Sequence, residues 1–298
     1  MDEFDFIDLL RPLVGPTGLG LQDDAAKLSV PDGQDLIIST DTMVEGVHFP
    51  LGRRGGGFSE RLLRTALSDL AAKGARPIGY MLSVAWPVGT DAKWMAGFVK
   101  GLDETQSAFD CPIMGGDTTS TTGPLIASAT VYGLVPTGEM VTRAGAKVGD
   151  DVWFTGVLGR AEKGLALMQG KVLDLPETEI LACEDAYLRP EPRFLFRKIL
   201  RQYASACADI SDGLISEAGH IAKASGVRLD LDAQHVDGTS FGDDYELLFT
   251  ASQTSRTALK STAEALPLKI TRCGTVAEGE GVWVNGERLM SQGYKHTF

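Results

Sequence analysis

Six short acidic clusters recur along this sequence, most of them beside Gly, Ser or Thr. They are QDDAA at residues 22–26, STD at 39–41, SDLAA at 68–72, GGDTT at 115–119, DISDGL at 209–214 and GDDYEL at 242–247. Any one of them alone would indicate a turn. Carboxylates that lie close together repel each other unless a cation neutralises them. Their oxygens suit Mg²⁺, which commonly bridges to the phosphates of a bound nucleotide. Together the clusters predict metal-assisted phosphoryl transfer.

Asp69 is the most informative of these acids. It lies among leucines and alanines in a helical pattern at residues 59–74, where Asp has poor helix propensity. A carboxylate near a buried face is unfavourable unless it is paired or bound to a metal. The alternative interpretation is an Asp on the polar edge of the helix, paired with Arg64 or Lys73.

The other clusters also have ordinary explanations. Asp24 could belong to a solvated turn, Asp41 could simply end a strand, and residues 115–117 could form a Gly-Gly-Asp turn. Residues 209–213 precede a predicted helix, whose N-terminus favours an anion. Ser211 or Asp212 could equally be the N-cap of that helix.

Three further candidates are weak when taken alone. Asp243 could lie in a turn before a strand, and His48 has no partner adjacent in sequence. Arg143 lies in a glycine-flanked loop and could bind phosphate, although most such arginines form surface ion pairs. No P-loop, GxGxxG, HExxH, GxSxG or protein-kinase motif occurs, so a bound nucleotide would need another scaffold.

The elements that must hold these clusters alternate between strands and helices. In the first half we predict strands at Leu36–Thr40, Met81–Ala85 and Leu125–Val135, and helices at Ser59–Gly74 and Asp91–Phe109 with Asp91 as a cap. In the second half we predict helices at Arg193–Tyr203, Gly213–Ser225 and Ser252–Leu266, strands at Val152–Thr155, Val227–Leu231, Tyr245–Thr250 and Lys269–Val276, and a hairpin over Val282–Leu289. This order predicts an α/β (α+β) protein with an N-terminal domain at residues 1–140 and a C-terminal α+β domain at 141–298.

The composition excludes several classes of protein. A net charge of −12 argues against nucleic acid, because no broad basic surface could neutralise a phosphate backbone. No run approaches the ~18 apolar residues of a membrane helix, and the acidic start lacks the features of a signal peptide. The four cysteines form no CxxC pair, which is typical of buried thiols in a reducing compartment. We therefore expect a cytoplasmic protein.

In their order, the motifs resemble those of the thiamine-monophosphate kinases, of the superfamily shared with aminoimidazole ribonucleotide synthetase. The resemblance runs from about residue 20 to Gly293-Tyr294 and rests on DDAA, STDTMVEGVHF, ALSDLAAKGARP, GGDTT, TRAGAKVGD, DISDGL and GDDYELLFT. It implies a two-domain aminoimidazole ribonucleotide synthetase-like fold whose N-terminal domain has a mixed sheet and dimerises through it. It further implies that ATP binds with several Mg²⁺ ions between the domains and phosphorylates thiamine monophosphate to thiamine diphosphate.

The same resemblance assigns roles to individual residues. It implies Mg²⁺ ligands at Asp24, Ser39, Thr40, Asp41, Asp69, Asp117, Asp209 and Asp212, of which Asp69, Asp117 and Asp212 are the expected catalytic residues. It implies nucleotide contacts at Gly116, Asp117, Arg143 and Ser211, and substrate contacts at His48, Asp243 and Tyr294. Gln22 stands where the family has glycine, Asp243 stands where it has Glu, and the segment between Leu231 and Phe241 is shorter than usual.

Two other functions are compatible with the acidic clusters. One is a synthetase of the same superfamily that activates an amide or a selenide with ATP. The sequence lacks the cysteine features of the selenophosphate and hydrogenase-maturation branches. The other is a regulator that binds nucleotide without turnover.

Overall fold

A computed structural model describes residues 2–52, 56–236, 241–266 and 268–289 of the chain. It has the mixed α/β architecture that the sequence predicts. Contacts divide the chain into an N-terminal unit, Met1–Leu70 with Arg76–Gly138, and a C-terminal unit, Ala71–Ala75 with Glu139–Phe298. Within the described ranges, no helix is both long enough and apolar enough to cross a membrane.

The elements of the first half surround one four-stranded sheet. They are α1 (Glu3–Leu10), β1 (Gln34–Val44), α2 (Gly56–Ala72), β2 (Arg76–Pro87), α3 (Ala92–Phe109), β3 (Ile113–Thr121) and β4 (Ile126–Pro136). The strand order is β1-β4-β2-β3, so β1 and β3 are the two edge strands. β4 is antiparallel to both of its neighbours, and β2 pairs with β3 in parallel across the α3 connection.

Apolar periodicity explains why α2 and α3 form and which faces they bury. The positions that predict α2, Leu62, Leu63, Ala66, Leu67 and Leu70, are all fully buried. In α3 the side chains of Trp94 and Phe98 are buried, and Trp86 of β2 packs edge-on against both rings. The predicted cap is confirmed, because the Asp91 carboxylate accepts a hydrogen bond from the backbone N–H of Trp94 at 2.7 Å.

The elements of the second half surround a seven-stranded sheet. They are β5 (Asp151–Thr155), α4 (Arg160–Met168), α5 (Glu177–Leu188), α6 (Arg197–Tyr203), β6 (Ala204–Asp209), α7 (Leu214–Ser225), β7 (Arg228–Leu231), β8 (Leu247–Ala251), α8 (Arg256–Ala265), β9 (Ile270–Ala277), β10 (Gly281–Val284) and β11 (Glu287–Leu289). The strand order is β11-β10-β7-β9-β5-β8-β6, and among the described strands of this sheet only β7 and β10 pair in parallel.

Alternating side chains of this second sheet build a separate apolar core on each face. On one face Val152 and Phe154 of β5 pack with Leu214 and Ile221 of α7. On the other face, Trp153 of β5 packs in a cluster that includes residues of α6 and α8. Because side chains alternate along β5, those on one face can hold α7 against the sheet. α7 begins directly after residues 209–213.

Two strands that carry acidic residues were not predicted. Residues 115–117, for which a Gly-Gly-Asp turn was the alternative interpretation, lie inside β3, and Asp209 is the last residue of β6. β3 consists largely of Gly, Thr and Ser, so it lacks the apolar content that identifies a strand in sequence. Pairing with β2 is what makes this segment extended.

The crossing of α2 and α3 generates a stability prediction at Gly101. A Cβ atom on Gly101 would lie 2.4 Å from the Gly56 carbonyl oxygen and 2.4 Å from Ser59 Oγ. Gly101→Ala should therefore lower the free energy of unfolding by about 1–3 kcal/mol, the usual effect of overpacking. Chemical denaturation measures this difference.

Gly219 in α7 provides the matched control, because its nearest neighbour for a new Cβ is Val282 Cγ2 at 4.0 Å. Gly219→Ala should leave stability unchanged or raise it by up to about 1 kcal/mol through helix propensity. Equal effects of the two substitutions would contradict the proposed close contact at Gly101.

Candidate functional site

Ser39, Asp41 and Asp69 lie together in the N-terminal unit. Ser39 and Asp41 are two residues apart on β1, so their side chains share one face of the sheet. Asp69 projects from α2, and the Ser39 hydroxyl donates a hydrogen bond to its carboxylate at 2.5 Å. Of the two basic residues considered as partners of Asp69, Lys73 instead donates to the Cys207 carbonyl oxygen at 3.0 Å. Asp69 is therefore part of an acidic group with β1.

The electrostatics of this group suit a cation. Burial, followed by the nearby charge of Asp69, raises the pKa of Asp41 to about 6, while Thr65 and Arg61 act in the opposite direction. A divalent cation would relieve this repulsion. The described residues contain no cluster of three or more His, Cys, Asp or Glu side chains arranged to hold a metal by themselves. Two carboxylates and a hydroxyl nevertheless fit Mg²⁺, which usually completes its coordination with water and substrate phosphates.

The side chain of Thr40 does not join this group, and the described hydrogen bond of His48 lies in the turn after β1. Thr40 points to the opposite face of β1, where its hydroxyl is 3.0 Å from the Thr130 hydroxyl. His48 follows the strand in a turn, and its Nδ1 accepts a hydrogen bond from the Val44 N–H at 3.1 Å. The His48 contact stabilises the turn after β1.

A second group of predicted residues lines a cleft at the free edge of β3. The cleft has a volume of about 220 Å³, and Asp23, Asp24, Gly116 and Asp117 are among its lining residues. Most of its remaining lining is apolar and comes from α1, residues 18–26, β2 and β3. A Cβ atom on Gly116 would lie 1.8 Å from the Leu82 carbonyl oxygen, so only glycine fits so close to β2.

The two groups of the N-terminal unit are separated by the sheet. The register aligns Asp41 with Ala129, Leu82 and Gly116 in one row across the four strands. Three strand spacings amount to roughly 14 Å. Because Asp117 follows Gly116 in β3, its side chain faces the opposite side from Asp41. A single ion therefore cannot bind Asp41 and Asp117 of one chain together.

The predicted residues of the C-terminal unit surround the start of α7. Asp209 is buried at the end of β6, and Ser211 and Asp212 follow in the loop before the helix. The N-cap of α7 is Gly213, with φ of 95° and no side-chain hydrogen bond. The interpretation of Ser211 or Asp212 as the N-cap is therefore wrong.

Glu217 is a residue of this group that the sequence did not reveal. Its side chain is 1% exposed in the first turn of α7, and its carboxylate accepts from Arg143 Nη2 at 3.5 Å and from Ser211 Oγ at 3.4 Å. Burial raises the pKa of Glu217 to about 7, and the charge of Asp212 adds to this while that of Arg143 opposes it. The only signal in the sequence was an acid in the first turn of the helix, which is common.

The loop at residues 242–246 approaches the same helix terminus. Gly242, Asp243 and Tyr245 all have positive φ, of 94°, 64° and 49°. Such φ values are unfavourable for non-glycine residues and are enriched at functional sites. The Asp243 N–H donates to the Ser211 carbonyl at 2.7 Å, and a Cβ on Gly242 would lie 2.2 Å from that same oxygen.

The neighbouring acids hold this loop in place. The Asp244 carboxylate accepts from the Gly159 N–H, at 2.8 and 3.0 Å from its two oxygens, at the N-terminus of α4. Burial raises the pKa of Asp244 to about 7, and the charges of Glu246 and Asp243 add to the effect. Glu246 is buried and forms a bidentate ion pair with Arg193. Tyr294, the remaining predicted substrate residue, lies outside the described residues.

Comparisons with known proteins find relatives of this chain in both sequence and fold. The family AIR synthase related protein, N-terminal domain, matches residues 22–135. The chain is 41% identical to the thiamine-monophosphate kinase of Caulobacter vibrioides, over 94% of this chain and 85% of that one. It superimposes on the crystal structure of thiamine-monophosphate kinase from Stenotrophomonas maltophilia K279a with a TM-score of 0.87, at 36% identity, over 97% of this chain and 98% of that one. For AaThiL complexed with AMPPCP and TMP the TM-score is 0.81, at 28% identity, over 99% and 97% of the two chains.

The acidic group of Ser39, Asp41 and Asp69 generates a prediction about metal binding. Asp69→Asn keeps an oxygen to accept from Ser39 but removes the charge that repels Asp41. Affinity for Mg²⁺ at this group should fall by at least about ten-fold, because one of two charged ligands is lost. Without metal the variant should be at least as stable as the wild type.

Calorimetric titration with Mg²⁺ and thermal unfolding with and without the metal measure both effects. Asp174→Asn, an exposed Asp of a loop in the C-terminal unit, is the control and should change neither quantity. An Asp69→Asn variant that binds Mg²⁺ as tightly as the wild type would assign Asp69 to the polar edge of the helix.

Proposed function

Because the chain belongs to the thiamine-monophosphate kinase family, we propose that it transfers the γ-phosphoryl group of ATP to thiamine monophosphate, giving thiamine diphosphate. The observation that carries this function is identity of 39–41% to such kinases over 94–98% of the chain. A structural relative of the same length was solved with AMPPCP and TMP. The three groups of acidic residues described above lie within this shared region.

We propose that Mg²⁺ ions act at the acidic groups. Asp41, Asp69 and Ser39 would hold one, and Asp24 and Asp117 in the β3 cleft would hold another. Asp209 and Asp212 of the C-terminal unit would provide further carboxylate ligands for Mg²⁺. When bound, Mg²⁺ would supply positive charge that offsets the charge of the phosphates during phosphoryl transfer. Thr40 would take part only through its backbone carbonyl, because its side chain lies on the other face of β1.

The β3 cleft is proposed to hold part of the nucleotide. Phe6, Leu10 and Met114 give it an apolar wall, and Asp24 and Asp117 make another part of its lining acidic. Such a mixed lining suits a nucleotide with an apolar base and metal-bridged phosphates. Gly116 admits the ligand close to the backbone. Arg143 and Ser211 of the C-terminal unit are proposed to contact the phosphates.

The chain's own residues then act by position and charge. The acceptor is a phosphate oxygen that is already ionised at neutral pH, so the reaction requires no strong general base. The two anionic substrates repel each other, and the chain must hold them in line against that repulsion. A guanidinium such as Arg143 is suited to this task because it stays charged and presents several donors to phosphate.

Asp243 is proposed to contact the thiamine moiety, with His48 and Tyr294 as further substrate residues. A carboxylate can pair with the cationic thiazolium ring or with the aminopyrimidine. The positive φ of Asp243 fixes where its side chain points, and the Ser211 carbonyl anchors its backbone. His48 is proposed from the family resemblance, and its Nδ1 accepts a hydrogen bond from the Val44 N–H.

We further propose that the protein is a homodimer that acts in the cytoplasm. One face of the four-stranded sheet carries exposed Ile38, Thr40 and Thr42, together with Ser83 of β2. Rows of short hydroxyl side chains beside an exposed isoleucine are suited to packing against a second copy of the same sheet. The four cysteines are buried free thiols, which is typical of a reducing compartment.

The function is tested by ATP turnover with thiamine monophosphate as acceptor. Thiamine diphosphate should form at a rate that vanishes in excess EDTA and returns with Mg²⁺, because clustered carboxylates repel phosphate groups unless a cation lies between them. Thiamine and aminoimidazole precursors serve as control acceptors. Nucleotide binding without turnover would indicate a regulator, and turnover only with another acceptor would indicate a different branch of the superfamily.

The substrate side is tested with Asp243→Asn, which keeps a residue that tolerates positive φ and removes the charge. The KM for thiamine monophosphate should rise about ten- to hundred-fold, as expected when one charge-assisted contact is lost. The KM for ATP should remain unchanged. Steady-state kinetics with each substrate varied in turn measures both values.

Asp110→Asn is the matched control, because Asp110 also has positive φ, of 50°, at the C-terminus of α3. It should change neither KM. An increase confined to the KM for ATP would place Asp243 on the nucleotide side.

A further inference from the structure

Glu217 is a buried acid for which the proposed reaction has no direct use. It is 1% exposed, so its carboxylate cannot reach a ligand in solution or bind a metal without rearrangement. Burial of a carboxylate is unfavourable unless hydrogen bonds and opposite charge compensate for it. The residues that provide this compensation therefore show what Glu217 does.

The partners of Glu217 are two of the residues proposed to contact nucleotide. Arg143 Nη2 lies 3.5 Å from one carboxylate oxygen, and Ser211 Oγ lies 3.4 Å from the other. The Arg143 side chain remains 48% exposed, so most of its five N–H donors stay available to a ligand. One acid thus orients a cation and a hydroxyl on the same side of α7.

The same helix also holds the backbone of Arg143. Ser225 Oγ, at the C-terminal end of α7, donates to the Arg143 carbonyl oxygen at 3.3 Å. It accepts from the N–H groups of Gly145 and Ala146, both at 3.1 Å. Glu217 and Ser225 are about 12 Å apart along the helix axis. Arg143 must therefore extend along α7, with its backbone held at one end and its guanidinium at the other.

We propose that Glu217 is a positioning residue that holds Arg143 and Ser211 ready for the phosphates of Mg²⁺-bound ATP. The assignment rests on the proposed function, because it takes the nucleotide as the ligand of both residues. A long arginine side chain loses conformational entropy when it binds, and a fixed carboxylate partner reduces that loss. Glu217 acts through its two partners and does not itself touch the nucleotide.

Glu217→Gln tests this role because it keeps the shape and an acceptor oxygen but removes the charge. The dissociation constant for a non-hydrolysable ATP analogue with Mg²⁺, measured by calorimetry, should rise about ten-fold, the effect of weakening one charge-assisted contact. The dissociation constant for thiamine monophosphate should stay unchanged, and the midpoint of thermal unfolding should not fall, because burial disfavours the charge that the substitution removes. A purely structural role for Glu217 would not produce this selectivity.

Glu162→Gln is the matched control, since Glu162 occupies the first turn of α4 and is exposed. It should leave both dissociation constants as in the wild type. A double-mutant cycle with Arg143→Gln adds a second criterion. Because Glu217 acts through Arg143 as well as Ser211, Glu217→Gln should weaken nucleotide binding less in the Arg143→Gln background than in the wild-type background.

Two results would overturn the proposal. One is nucleotide binding by Glu217→Gln that equals that of the wild type. The other is equal weakening of both ligands together with a lower unfolding midpoint, which would make Glu217 a structural residue. Wild-type protein that binds nucleotide but does not phosphorylate thiamine monophosphate would refute the proposed reaction alone, and the binding comparison would still decide the role of Glu217.

Discussion

Repulsion among carboxylates is the constraint on which this structure depends. The chain carries a net charge of −12 and places acids close together in both units. Where Asp41 and Asp69 approach each other, burial and their mutual repulsion raise the pKa of Asp41 to about 6. Elsewhere a basic side chain compensates the negative charge, as in the pairs of Glu217 with Arg143 and Glu246 with Arg193. Acids held by a basic side chain thus differ from acids that lie close to another carboxylate, such as Asp41 beside Asp69.

This division separates structural acids from candidate ligands. Glu246 and Asp244 hold backbone and basic side chains around the 242–246 loop, and Asp151 is fully buried between Arg256 and Arg272. Asp24 and Asp117, in contrast, are exposed beside a cleft. An unfavourable backbone conformation in the 242–246 loop can persist because Asp244 binds the Gly159 N–H and Glu246 binds Arg193.

The sequence was informative where a property depends on local periodicity. The spacing of leucines predicted α2, and the residue types flanking α3 predicted its cap at Asp91. Successive side chains of a strand alternate between its two faces. Thr40 lies between Ser39 and Asp41 on β1, so its side chain must face the opposite side of the sheet from theirs. Motif order alone did not distinguish these faces. The acidic strand β3 was missed because pairing, and not composition, makes it extended.

Contacts between residues far apart in the sequence are the part of the site that could not be predicted. Glu217 meets Arg143, 74 residues away, only because α7 packs on its sheet through Leu214 and Ile221. No local pattern encodes such a contact, although its geometry decides how a basic side chain is presented to a phosphate. Because the acceptor is already an anion, the rate of phosphoryl transfer in such a site would depend on where the charged groups are held. The interactions that orient cations then matter as much as the residues that touch the substrates.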